Sequence, residues 1–376
     1  MRYRRFGKTN LNLSVFSLGT MRYLSSPHNA VETVNQAIEL GINHFETARG
    51  YGKSEEYLGL AIANGLPKPR SEYYVTTKLP PITDSDKMSQ LIDSSLTRLN
   101  LDYVDCLGIH GINTWEHLEL VQRENGCMKA LRKAIADGRV RHVGFSSHGS
   151  VELILATINT GLFEFVNLHY YYFFQRNQKA IELAAQQDMG VFIISPADKG
   201  GLLYTPPQTL KDLCYPFTPL ELNYRFLLSD SRITTLSVGA ANKRELALPL
   251  RMKDRTEELT PEEITIFESL QKQKTNILGT DKCSQCYACL PCPENINIPE
   301  ILRLRNLAVA YDMDEYGKYR YQMFENAGHW FPGMKANRCT ECGECLPKCP
   351  ENLNIPKLLE DVHKRFKGQE GRRLWG

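Results

Sequence analysis

The sequence lacks any long apolar run and any marked excess of charge. Its 376 residues carry a formal net charge of only +2, which gives no electrostatic basis for binding nucleic acid or an anionic membrane surface. No apolar stretch approaches the roughly 18 residues that span a bilayer, and the N-terminal segment is too polar for a signal peptide. These absences predict a cytoplasmic protein without membrane insertion, and the 42% hydrophobic content suffices for a packed core.

Cysteine is scarce in the first three quarters of the chain. Only Cys106, Cys127 and Cys214 lie there, and we interpret them as small core side chains. The other eight cysteines fall in two groups between Cys283 and Cys349. A secreted disulfide scaffold would spread cysteines through a short chain, so this distribution argues against one and indicates ligand-binding groups instead.

Strand-like and helix-like segments alternate through the first part of the chain. Amphipathic stretches such as "AVETVNQAIELG" separate eight apolar runs of strand length, which are "VFSLGT", "HFET", "YYVTTKL", "VDCLGIH", "VRHVGFSS", "FEFVNLHY", "GVFIISPA" and "ITTLSVGA". Eight strands joined by crossover helices over roughly 250 residues are typical of a (β/α)8 barrel. An open doubly wound sheet is the alternative architecture.

We expect two domains. The α/β barrel occupies residues 1–275 and begins with a short hairpin in "YRRFGKTNLNLS". A small, mainly α-helical domain occupies residues 276–376, because the segment between the two cysteine groups has few strand signals. The helical segment "LTPEEITIFESLQKQK", with Thr before Pro and Glu, precedes the boundary.

The two cysteine groups are an internal repeat. "CSQCYACLPCPENINIPEIL" matches "CTECGECLPKCPENLNIPKLL" closely. Each has three cysteines, separated from one another by two intervening residues, followed by a fourth cysteine before proline. Structural zinc sites usually pair two C-x2-C motifs, so the threefold spacing with a trailing Cys-Pro favours iron–sulfur clusters over zinc.

This region resembles helical two-cluster ferredoxin domains, in which the fourth cysteine of each motif ligates the other motif's cluster. The resemblance implies one [4Fe–4S] cluster on Cys283, Cys286, Cys289 and Cys349, and a second on Cys339, Cys342, Cys345 and Cys292. The first motif is one residue shorter before its fourth cysteine. A ferredoxin or another electron-transfer protein is the partner that such clusters imply.

Four chemically suited side chains fall at or just after predicted strand ends. These are Glu46, Tyr51, Lys78 and His110, and barrel enzymes place their chemistry at this end of the strands. A lysine ammonium beside a tyrosine favours the phenolate and lowers the tyrosine pKa, a carboxylate holds the lysine, and a histidine binds the same substrate oxygen. Such a tyrosine can give a proton to a carbonyl.

The stretches "GINHFETARGYGKSEEYLGLAI", "YYVTTKL" and "VDCLGIH" are similar to the signature segments of the aldo-keto reductase superfamily. That family is a (β/α)8 barrel that passes hydride between NADP(H) and a carbonyl or alcohol, with catalytic Asp, Tyr, Lys and His. Tyr51, Lys78 and His110 match this set, and Glu46 stands at the Asp position.

The resemblance implies cofactor-binding residues as well, although several differ from the family pattern. Ile194 stands where the family often has a stacking aromatic, and Leu248 and Pro249 stand at its carboxylate and Asn positions. The candidate cofactor-binding residues are Ser146, Ser147, Asn167, Ser195, Gly239, Lys243 and Arg244.

Two cofactors therefore remain open for the barrel. One is NADP(H). The other is a flavin such as FMN, because nicotinamide moves electron pairs whereas the clusters move single electrons. The aromatic run "HYYYFF" over residues 169–174 is either core packing or a stacking wall for a flat ring.

The expected function is oxidoreduction of a small carbonyl- or alcohol-like substrate with electrons relayed through the clusters. The alternative is a non-catalytic redox sensor or electron-transfer subunit.

Overall fold

The computed structural model describes residues 1–368. Among these residues, the strand-length apolar runs form a closed barrel of eight parallel strands, and each neighbouring pair is in sequence order until the last strand closes on the first. The strands are β3 (Phe16–Gly19), β4 (His44–Glu46), β5 (Tyr74–Leu79), β6 (Val104–His110), β7 (Val140–Ser146), β8 (Phe165–Leu168), β9 (Gly190–Ile193) and β10 (Thr235–Val238). The (β/α)8 prediction is confirmed, and the open sheet is not formed.

The predicted N-terminal hairpin is also present. Strands β1 (Tyr3–Arg5) and β2 (Asn12–Ser14) pair antiparallel, and the turn between them carries Phe6. The Phe6 ring lies 5.2 Å from that of Phe165 in an apolar cluster with Leu13, Cys106 and Phe192. The hairpin therefore supplies side chains to the barrel core, and Cys106 has the packing role expected of it.

Helices follow the barrel strands along the chain. They are α1 (Pro27–Glu39), α2 (Ser54–Ala63), α3 (Ser85–Leu99), α4 (Trp115–Gln122), α5 (Cys127–Ala136), α6 (Val151–Asn159), α7 (Gln178–Gln186), α8 (Gln208–Cys214), α9 (Pro219–Leu228) and α10 (Ala247–Leu250). Ser26 caps α1 and Asp84 caps α3 through side-chain oxygens, as the short polar residues before these helices favour.

The C-terminal region is helical, as predicted. Its helices are α11 (Pro261–Leu278), α12 (Ile298–Tyr311), α13 (Asp314–Tyr321) and α14 (Ile355–Phe366). Thr260 and Glu263 form a capping box at the start of α11. Helix α12 is buried almost throughout, and its Glu300–Arg303 ion pair is also buried.

Packing divides the chain into two compact units. The first contains residues 1–200 and 223–258, and the second contains residues 201–222 together with the segment from 259 onward. The second unit thus includes α8, whose Thr209 hydroxyl donates to Asp312, and α11. The division at 275/276 stays a prediction about folding domains. Among the described residues, no helix has the length and apolar character needed to cross a membrane.

Candidate functional site

Glu46 and Lys78 form a buried pair inside the barrel. Glu46 ends β4 and Lys78 is the penultimate residue of β5, and both side chains are almost fully buried. The Lys78 Nζ donates to Glu46 Oε1 and, at 2.7 Å, to the carbonyl of Thr47. The glutamate at position 46, which is one methylene longer than the aspartate expected there, therefore reaches the lysine. Burial lowers the pKa of Lys78, while a carboxylate in contact favours the charged ammonium.

Tyr51 lies against this pair, and His110 lies against Tyr51. The Lys78 Nζ is 4.9 Å from the centroid of the Tyr51 ring, and the rings of Tyr51 and His110 meet at 84° with centroids 5.6 Å apart. The structure thus brings together all four predicted catalytic side chains.

The protonation of Tyr51 differs from the sequence-based expectation. Burial raises the pKa of Tyr51, whereas a lysine beside it was expected to lower that pKa. The reason is geometric, because the ammonium lies over the ring face and is bound to Glu46 and Thr47. Tyr51 is consequently a neutral phenol, which is the form that can donate a proton.

Residues beneath the pair fix its position, and sequence reasoning missed them. A Cβ on Gly108 would lie 3.0 Å from Lys78 Cγ, so the glycine in "VDCLGIH" makes room for the lysine. His44 contacts Ser17 and Thr76 at 2.7 Å each. Burial and the Lys78 charge lower the pKa of His44 to about 3, so His44 is neutral and places no second cation beneath Lys78.

Asn167 connects the catalytic pair to the predicted cofactor residues. It lies near the end of β8, and its Nδ2 is 3.4 Å from Glu46 Oε1. A carboxylate oxygen accepts hydrogen bonds and donates none, so the NH2 group of the Asn167 amide, and not its oxygen, faces Glu46. The Oδ1 atom is then left buried without a hydrogen-bond partner, an arrangement that a ligand N–H donor would stabilise.

The two adjacent serines already have protein partners. Ser146 Oγ accepts from the backbone N–H of Gly111 at 3.0 Å, and Ser147 Oγ donates to the carbonyl of Ile112 at 2.6 Å. Both hydroxyls thus fix the loop after β6. Ser195 follows β9 in a left-handed conformation with φ of 53° and is half-buried.

Gly239, Lys243 and Arg244 share one turn after β10. Arg22, which was not predicted, donates to the Gly239 carbonyl at 2.7 Å. Arg22 also pairs with Glu245 at 2.8 Å, and Lys243 pairs with Glu32 at 2.8 Å, whereas the Arg244 side chain is exposed. Three cationic side chains suited to binding phosphate therefore lie at this turn, namely Arg22, Lys243 and Arg244. Arg22 and Lys243 are already paired with carboxylates.

The aromatic run over residues 169–174 packs mainly within the protein. Tyr170 stacks on Phe226 of α9 with centroids 5.5 Å apart, and Tyr172 meets the same ring edge-on. Both tyrosines are buried. This favours core packing over a stacking wall for these two side chains.

Four cysteines surround a cavity in the C-terminal unit. The lining of this cavity includes Cys283, Cys286, Cys289 and Cys349. Burial, together with smaller contributions from Cys286 and Cys349, raises the pKa of the Cys283 thiol to about 11. The fourth cysteine of the second motif thus lies with the first three of the first motif, a set whose chemistry and enclosure fit an iron–sulfur cluster.

The remaining four cysteines form a second group. Burial raises the pKa of Cys345, and the charges of Cys339, Cys342 and Cys292 act in the same direction. Cys292 therefore lies near the second motif. Within residues 1–368, no three His, Cys, Asp or Glu side chains surround a single metal-ion position. A four-iron cluster takes one thiolate at each iron, so its ligands need not converge on one ion.

Two family matches cover most of the chain. Residues 16–272 match the Aldo/keto reductase family, and residues 282–354 match a 4Fe-4S dicluster domain.

Several curated proteins are similar to this chain. Uncharacterized oxidoreductase YqkF of Bacillus subtilis is 24% identical over 73% of this chain and 97% of its own length. L-galactose dehydrogenase of Arabidopsis thaliana is 36% identical over 38% of this chain and 47% of its length. L-glyceraldehyde 3-phosphate reductase of Escherichia coli is 28% identical over 58% of this chain and 62% of its own length.

Among solved structures, the aldo-keto reductase AKR11C1 from Bacillus halodurans in its holo form superposes with a TM-score of 0.61. It is 20% identical over 71% of this chain and 95% of its own, and the likeness supports the fold.

Proposed function

The chain belongs to the aldo/keto reductase family and carries a 4Fe-4S dicluster domain, and from that premise we propose that its barrel oxidises or reduces a small carbonyl- or alcohol-like substrate. In this proposal electrons pass through two cysteine-bound clusters to or from a redox partner such as a ferredoxin. The observation that carries the proposal is the buried Glu46–Lys78 pair in contact with Tyr51, whose ring in turn contacts His110.

Each member of the catalytic set has a distinct role. The Tyr51 hydroxyl donates a proton to the carbonyl oxygen, and His110, whose ring meets that of Tyr51, orients that oxygen by hydrogen bonding. The Lys78 ammonium lies over the Tyr51 ring and holds the tyrosine in position for this transfer. Glu46 and the Thr47 carbonyl hold Lys78 in place.

The cysteines divide between the two clusters in a crossed arrangement. Cys283, Cys286, Cys289 and Cys349 hold one cluster, supported by the cavity that they line. Cys339, Cys342, Cys345 and Cys292 hold the other, supported by their mutual proximity. The clusters supply one-electron transfer.

The two candidate cofactors for the barrel are NADP(H) and a flavin. The unpartnered Oδ1 of Asn167 favours a ligand with an amide N–H, such as the carboxamide of NADP(H), and the cations at residues 239–244 favour its phosphate. A flavin is favoured by the single-electron chemistry of the neighbouring cysteine domain.

Asn167→Ala tests the nicotinamide assignment. We expect this change to weaken NADP⁺ binding by roughly 5- to 100-fold, since it removes an acceptor for a buried N–H. Binding of the 3-acetylpyridine analogue, which lacks the carboxamide N–H, should change by less than about threefold. Titration calorimetry of the cluster-loaded protein measures both affinities.

The outcome separates the two cofactors. Equal losses for NADP⁺ and its analogue would show that Asn167 does not bind the carboxamide. Flavin released on denaturing anaerobically purified protein, together with absent NADP⁺ binding, would assign the barrel to a flavin.

The second candidate function is a redox sensor or electron-transfer subunit. It is favoured by the pairing of Arg22 and Lys243 with carboxylates, which competes with phosphate binding. Turnover of a panel of aldoses and aromatic aldehydes, with NADPH and with reduced ferredoxin as alternative donors, decides between the two. Turnover with either donor supports the enzyme, and silence with both supports the sensor.

A further inference from the structure

We propose that Tyr287 shields the first iron–sulfur site from water and thereby lowers the reduction potential of its cluster below that of the second cluster. The first site is the cavity lined by Cys283, Cys286, Cys289 and Cys349. This role rests on the proposed function, in which each of the two cysteine groups holds a [4Fe–4S] cluster. It gives the clusters an order, because the second cluster then accepts the first electron.

The backbones of the two cysteine motifs have the same conformation at matched positions. In the first motif φ is positive, at 58°, 63° and 53°, for Gln285, Tyr287 and Asn295. In the second motif it is positive, at 57°, 77° and 54°, for the matched residues Glu341, Gly343 and Asn352. The carbonyls of Tyr287 and Gly343 each accept from the N–H three residues later, at 3.1 Å and 3.0 Å. Side chains at matched positions can therefore be compared directly.

Most of the wall around the first cavity is repeated in the sequence. Besides the cysteines, the wall includes Pro299, Leu302, Leu353 and Ile355. The residues at the matched positions of the repeat are Pro356, Leu359, Ile296 and Ile298, which are equally apolar. Tyr287 also lines the first cavity, whereas its counterpart Gly343 has no side chain. The aromatic residue is thus the largest difference between the two walls.

The conformation of Tyr287 is unfavourable for a residue of its size. Its φ of 63° lies in the left-handed region, which costs a bulky side chain free energy and which glycine adopts freely. The second motif meets the same backbone requirement with Gly343. Residues that are kept in such conformations cluster at functional sites, so the aromatic side chain has a role at the first site.

The burial of matched cysteines follows the same difference. Cys289 is buried, at 8% exposure, whereas its counterpart Cys345 is partly exposed. The hydroxyl oxygen of Tyr287 is also buried, so this side chain reaches into the protein instead of into solvent. A ring in this position keeps water away from the first site.

Exclusion of water sets the order of the two potentials. A [4Fe–4S] cluster held by four thiolates gains one negative charge when it takes up one electron. A drier site stabilises this added charge less well, which lowers the reduction potential. In a reductive titration each cluster takes one electron from the reductant, and the second cluster is reduced before the first.

Tyr287→Asn tests the shield in the full, cluster-loaded chain. Asparagine tolerates the left-handed conformation, so the loop keeps its backbone while the ring is lost. A dithionite titration against a redox electrode, followed by electron paramagnetic resonance, should show two separate one-electron steps in wild type. The variant should shift the reduction equilibrium of the lower step upward by at least about threefold, which is roughly 28 mV for one electron. The upper step should stay in place.

Three further variants assign and control the shift. Cys283→Ala/Cys349→Ala removes two ligands of the first site, and its remaining step should coincide with the upper step of wild type. Tyr287→Phe keeps the ring and should keep the lower step at its wild-type value. Ala288→Gly is the matched control, since Ala288 is the next residue of the same loop and is exposed, and both steps should be unchanged. Iron content and thermal unfolding show whether each variant retains its clusters and its fold.

Three results would overturn the shield, namely an unchanged lower step in Tyr287→Asn, an equal shift of both steps, or the same shift in Tyr287→Phe. Loss of the first cluster from Tyr287→Asn but not from Tyr287→Phe would support it, because the ring would then be needed to retain the cluster, and loss from both would contradict it. Two wild-type clusters with one common potential would refute the shield alone. A wild type that binds no cluster would instead refute the proposed electron relay, on which the shield depends.

Discussion

Replacing Tyr51 by phenylalanine is expected to lower carbonyl turnover about a thousandfold while leaving the iron content of the protein unchanged. The change removes one hydroxyl and keeps the ring, so the edge-on contact with His110 and the contact with Lys78 persist. Proton donation to the carbonyl oxygen is lost. Steady-state kinetics with a saturating aldehyde, together with iron analysis of the same sample, measures both quantities.

The loss should appear in kcat and not in substrate affinity, because the transferred proton matters mainly in the transition state. Tyr73→Phe is the matched control, since Tyr73 is also a buried tyrosine but packs against Phe45 and Arg70. Its variant should keep near wild-type turnover. A Tyr51→Phe enzyme with at least a third of the wild-type rate would contradict the assignment.

The pKa of Tyr51 adds a pH dependence to this prediction. A proton donor is active below its pKa, and burial raises the pKa of Tyr51 above its ordinary value near 10. The Tyr51-dependent rate should therefore not decline between about pH 7 and 9. A lowered tyrosine pKa, as the sequence alone suggested, would instead make the rate fall within this range.

The barrel was predictable because its signals are local. Each strand is a short apolar run, and strand-end residues such as Lys78 and His110 converge whenever parallel strands close into a barrel. The tyrosine pKa was predicted in the wrong direction because proximity to lysine was visible in the sequence, whereas the depth of burial and the position of the ammonium over the ring were not.

Contacts between distant strands were equally invisible. The Glu46–Asn167 contact joins β4 to β8, and the Arg22 contact with Gly239 joins the loop after β3 to the turn after β10. Neither pair has a spacing that marks it. For the cysteines, by contrast, the crossed grouping was implied before the structure by the resemblance of both motifs to two-cluster ferredoxin domains.

The grouping of Cys349 with the first cysteine motif leads to the prediction with the largest expected change in the iron content of the protein. In the crossed arrangement, Cys283 and Cys349 serve one cluster and Cys342 serves the other. The double variant Cys283→Ala/Cys349→Ala should therefore lose one cluster and keep about four irons per chain. The double variant Cys342→Ala/Cys349→Ala removes a ligand from each cluster and should keep almost none.

Iron and sulfide analysis after anaerobic reconstitution measures this difference, and the absorbance near 400 nm follows it. Cys106→Ala and Cys214→Ala are the controls, because both thiols are buried and lie outside the two cysteine motifs, and both variants should keep about eight irons.

If each motif instead held its own cluster, the two double variants would exchange results. Cys342→Ala/Cys349→Ala would then keep about four irons, since both residues would serve the same cluster, and Cys283→Ala/Cys349→Ala would lose both clusters. The crossed grouping requires the opposite order because Cys349 lines the cavity of Cys283, Cys286 and Cys289.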